Sequence, residues 1–105
     1  MLNADKYQDN KAFEIFDEQT REEILDWFNQ VRRGMLYANE KYAKNGRQTD
    51  YAFYQTKMQN LVGAKRMLEH IGVYVEIGWH GHGEYFFPTY EDALFEEDCQ
   101  FQNAD

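Results

Sequence analysis

The segment Trp79-His80-Gly81-His82-Gly83 carries the sharpest hint of chemistry in this chain. A His-x-His pair offers two imidazoles to a metal, and Glu76, Glu84, His70 or Cys99 could complete the set. A stable zinc site needs three or four protein ligands in tetrahedral array, and only His80 and His82 have suggestive spacing. Polar residues at a glycine-rich turn are the plainer account, so neither a metal nor a cofactor is expected. No P-loop or dinucleotide fingerprint accompanies the glycines. Cys99 follows Glu96-Glu97-Asp98, and negative charge disfavours a thiolate, so it reads as an inert thiol. Serine is absent altogether. Neighbouring carboxylates such as Glu22–Glu23 and Glu91–Asp92 read as solvated helix surface, and the chain is not expected to be an enzyme.

Charge is more informative. The net charge of −8 argues against general affinity for nucleic acid, because phosphate repels such a surface. The average conceals three blocks. Residues 1–28 carry eight acids against Lys6, Lys11 and Arg21. Residues 29–71 reverse the sign, with eight bases against Glu40, Asp50 and Glu69. Residues 72–105 carry eight acids and no Lys or Arg. Segregation of this kind makes surfaces of opposite sign, and such fields steer association.

Composition bounds the rest. The 105 residues suit a single domain over 1–105, and 43% apolar with 17% aromatic residues supplies one modest core. A lone cysteine excludes an internal disulfide framework. With no apolar run of membrane length and no signal-like N-terminus, a cytoplasmic, reducing setting is expected. Residues 1–10 and 99–105 lack periodicity and read as flexible ends.

The elements that must position these residues follow from periodicity. Thr20 and Glu23 have capping-box spacing, and Ile24, Phe28, Val31, Met35, Ala38 and Tyr42 recur at 4-3-4-3-4, one face of a long helix. Asn45-Gly46 stops it. A second helix, capped by Thr49 or Asp50, runs a stripe through Tyr51, Tyr54, Met58, Leu61, Ala64, Leu68 and Ile71 to Gly72. A short loop makes the pair an antiparallel helical hairpin. Val73, Val75, Ile77 and Trp79 then alternate as a strand, and Glu84–Phe87 returns, with Ile77 expected opposite Phe86. Phe13–Phe16 is either a third short strand or a helical turn. Thr89 and Asp92 suggest the cap of a short C-terminal helix. The fold class is therefore α+β, a long helical hairpin followed by a β-hairpin.

Two partner classes fit these elements. The acidic reading places Glu91, Asp92, Glu96, Glu97 and Asp98, with Tyr85 and Tyr90 as anchors, against a basic protein surface. Carboxylates three or four apart on a helix approach the charge density of a nucleic-acid backbone, so the surface would act as a nucleic-acid mimic. A nuclease or another nucleic-acid-processing enzyme of a host defence system is the expected partner. Small size, dense aromatics and missing serine resemble the style of phage and mobile-element proteins, many of which are stoichiometric inhibitors; no motif carries that likeness. The alternative is a nucleic-acid-binding module using Arg32, Arg33, Lys65 and Arg66. A homodimer is compatible with the heptad-like stripes.

Overall fold

The computed structural model describes residues 10–78 and 83–92. Its elements in chain order are α1 (Ala12–Ile15), α2 (Glu18–Asn45), α3 (Gln48–His70), β1 (Glu76–Ile77) and β2 (Tyr85–Phe86). The chain is the expected α+β arrangement: α2 and α3 form the hairpin, and the two strands pair antiparallel beside it.

The stripe on α2 folds inward as its spacing requires. Phe28, Val31 and Ala38 are buried, and Ile24, Met35 and Tyr42 are half-buried. The cap lies three residues earlier than the capping-box reading placed it. Asp17 accepts the Thr20 backbone N–H at 2.7 Å, while Glu23 takes a side-chain bond from Gln19. Hydrogen bonds from Thr20 hold the Asp17 carboxyl below its usual range, because they favour the charged form. Gly46, at φ 64°, ends α2 as expected.

The α3 start also differs. Arg47 occupies the N-cap without a side-chain bond, and neither Thr49 nor Asp50 caps. Left-handed Gly46 reverses the chain so abruptly that α3 is under way before Thr49 is reached. Asp50 instead turns toward α2, 3.8 Å from Lys41 Nζ. The α3 stripe is less uniformly covered than that of α2. Leu61 is buried and Tyr54, Ala64 and Leu68 are half-buried, but Tyr51, Met58 and Ile71 are exposed.

Beyond Gly72, a single side chain does the work expected of a third strand. Only Phe16, the C-cap, is extended, and Phe13–Ile15 is helical, within α1 (Ala12–Ile15). Just before it, Asn10 accepts the Tyr74 N–H at 3.1 Å and donates to the Tyr74 carbonyl at 3.0 Å, imitating a strand partner. The same amide donates to the Pro88 carbonyl at 2.7 Å and accepts the Ala12 N–H at 3.2 Å. Asn10 is buried yet fully bonded, which is how a polar group survives in a core. Lys11 N–H to the Gly72 carbonyl fixes the approach.

The β-hairpin is one residue out of the expected register. Glu76 pairs with Phe86 and Ile77 with Tyr85. This alignment carries Val75 opposite Phe87, and both are buried with Val73 against Ala12, Phe28, Val31 and Leu61. The expected register would have set Pro88 there instead. Ile77, assigned to the buried face by alternation, is 43% exposed because β1 leaves the core at that point. Thr89 and Asp92 cap reciprocally as their spacing requires, and residues 90–92 are helical.

Candidate interaction surfaces

The hairpin α2–α3 has two faces, and the β-hairpin covers one. Tyr85 lays its ring on Phe28 at 4.9 Å, and its backbone N–H donates to Asn29 Oδ1 at 2.7 Å. A Cβ on Gly83 would fall inside the Arg32 guanidinium, so strand and arginine touch at close range. Lys65 Nζ reaches Glu76 at 3.7 Å. Burial pushes the Tyr85 hydroxyl above its ordinary value, with Arg32 opposing the shift and Glu76 adding to it.

These contacts divide the basic set proposed for nucleic acid. Lys65 is half-buried in its ion pair and Arg32 is half-buried against Gly83, whereas Arg33 and Arg66 are exposed. Lys41, a further base of the hairpin, pairs with Asp50 and lies 5.5 Å over the Tyr37 ring.

The acidic set falls only partly among the described residues. Glu91 and Asp92 are exposed, and Tyr90 is half-buried beside them. Asp92 accepts from Thr89, and Glu91 meets no cation among the described residues. Tyr85 keeps a partly exposed edge although its ring packs on Phe28. Glu96, Glu97, Asp98, Cys99, His80 and His82 lie outside the described residues. No group of three His, Cys, Asp or Glu able to hold a metal occurs among the described residues. Among those residues, too, no helix is long and apolar enough to cross a membrane.

The opposite face of the hairpin adds a feature that the core stripes alone did not predict. It bears two hollows along the groove between α2 and α3. One, of about 490 Å³, is lined by Gly34, Tyr37, Lys41, Asp50 and Phe53 among others. The second, of about 320 Å³, is formed by Ile24, Trp27, Phe28, Ala64, Met67 and Leu68. Trp27, Tyr37, Phe53 and Met67 stand 42, 63, 51 and 74% exposed around these hollows. On α2 the residues one before each member of the core stripe are Glu23, Trp27, Gln30, Gly34, Tyr37 and Lys41, of which Trp27 and Tyr37 are aromatic. The chain matches no known protein family, no curated protein and no solved structure.

Proposed function

We propose that this protein is not an enzyme and works by binding another protein, as an acidic inhibitor or regulator in the cytoplasm. Its acidic arm, from Tyr85 and Tyr90 through Glu91 and Asp92 to Glu96, Glu97 and Asp98, occupies a basic surface on a nucleic-acid-processing enzyme. The observation that supports this reading is the acid-only end of the chain, which Glu91 and Asp92 open as exposed carboxylates. Lys41 and Lys65 of the basic block are paired internally with Asp50 and Glu76, while Glu91 opens the acid-only end without a cation beside it among the described residues. An uncompensated field of one sign is what steers a partner of the other.

A tagged pull-down from host extract across a salt series, with mass spectrometry, tests the proposal. A basic nucleic-acid enzyme that elutes as salt rises is the expected result. Reversing Glu91, Asp92, Glu96, Glu97 and Asp98 to lysine should weaken its capture and flatten the salt dependence. Capture unchanged by those reversals overturns the proposal, and retention of nucleic acid in place of protein favours Arg33 and Arg66.

A further inference from the structure

The geometry points to a second copy of this chain as the occupant of the hairpin face that the described residues leave bare, docked antiparallel about a two-fold axis that crosses both helices. This interface draws on none of the acidic residues of the proposed function and does not depend on that reading.

The stripe Glu23, Trp27, Gln30, Gly34, Tyr37, Lys41 reads 4-3-4-3-4 in either direction. Laid antiparallel on itself about its midpoint, it sets Glu23 on Lys41 of the second copy, Trp27 on Tyr37, and Gln30 on Gly34. Each contact is repeated by the symmetry, which is the requirement of an isologous interface. Glu23 brings a second carboxylate to Lys41, which it would share with Asp50 of that lysine's own chain, and Trp27 and Tyr37 form an aromatic pair. On α3 the same axis sets Phe53 on Met67 of the second copy, a sulfur–aromatic contact. Each partner thereby presents its exposed side chains to a hollow of the other.

Gly34 fits this role better than any in the isolated chain. It lies inside α2, where glycine costs about 1 kcal/mol relative to alanine. A Cβ there would meet only Lys57 Cε, at an ordinary 3.8 Å, so the packing of one chain does not require the glycine. A helix of a second copy crossing at close range does. From Glu23 to Lys41 the face runs roughly 27 Å at 1.5 Å per residue, and two helices make it about 20 Å wide. A face of that size, roughly 540 Å² per partner, suits a weak dimer below the range of stable specific interfaces.

Sedimentation equilibrium of the whole chain, from about 1 µM to about 1 mM, reads the assembly directly. A monomer–dimer equilibrium is expected. Glu23→Lys alone should weaken it roughly tenfold, since it creates two like-charge contacts per dimer. Lys41→Glu should do the same, with circular dichroism checking its fold because it also meets Asp50 of its own chain. Mixing the two variants should restore association, because each then supplies the charge the other lacks. Gly34→Leu, favourable to the helix, should abolish the dimer while circular dichroism shows the fold intact. A chain that stays monomeric throughout leaves this face to a different protein and overturns the proposal. So does a dimer indifferent to these substitutions, or a mixture that fails to recover.

Discussion

On one face of the α2–α3 hairpin, Phe28 stacks on Tyr85, Arg32 lies against Gly83 and Lys65 meets Glu76. On the other, Trp27, Tyr37, Phe53 and Met67 stand exposed around a groove. Both faces are built from the same two helices and from similar residue types. The difference lies in what comes back to cover them. The β-hairpin is too small to shield two sides of helices this long, so it protects one. The teaching is that an apolar stripe on a helix marks a surface that needs a partner, and the partner need not belong to the same chain.

Substitution on either side breaks the comparison in proportion to coverage. Phe28→Ala removes a ring at 1% exposure and should cost about 3–5 kcal/mol in urea denaturation. Met67→Ala, on the bare face, should stay within about 0.5 kcal/mol in dilute solution, where one chain is measured alone. Equal losses would mean that both faces are packed within the chain.

A somewhat smaller effect is expected where the covered face is tied down. Asn10→Ala removes the side-chain bonds to the Tyr74 N–H and carbonyl, the Pro88 carbonyl and the Ala12 N–H. Buried groups left unpaired cost about 1–3 kcal/mol each, moderated where water can enter, so a total of about 3 kcal/mol is expected. Hydrogen exchange should localise the loosening to Tyr74 and its surroundings. Uniform acceleration along α2 and α3 would contradict the clasp.

The least effect, confined to alkaline solution, concerns Tyr85. Its folded-state pKa is raised, chiefly by burial, above the ordinary value of about 10. The neutral hydroxyl is therefore the form the fold favours. That contribution is complete below the unfolded-state pKa and is lost as pH rises through the folded one. Above pH ~10, the natural chain should lose stability more steeply than Tyr85→Phe. Parallel pH profiles would place the hydroxyl in water, off the covered face.

Part of this molecule is legible in its residues alone. Six of them at 4-3-4-3-4 put one face of α2 inward because helical geometry fixes which side chains align, and Gly46 ends it because few residues take φ 64° cheaply. Thr89 and Asp92 are readable for the same reason: a cap is a local bond between residues three apart. The exposed acids Glu91 and Asp92 are legible as surface, since charge without a partner stays in water.

What sequence by itself determined, then, was whatever neighbours along the chain decide: the two helices, their stop, the late cap and the division of charge into blocks. Tertiary structure alone decided the rest. The β-register moved by one because burying Val75 opposite Phe87 outweighed simple alternation. Phe13–Ile15 is helical, and Asn10, distant in sequence from Tyr74, bonds the groups a strand would have paired. Lys65 and Arg32 came to lie beside Glu76 and Gly83, residues distant from them in the chain. The bare groove emerged for the same physical reason: burial is a property of pairs, and which pairs meet is settled only when the chain has closed on itself.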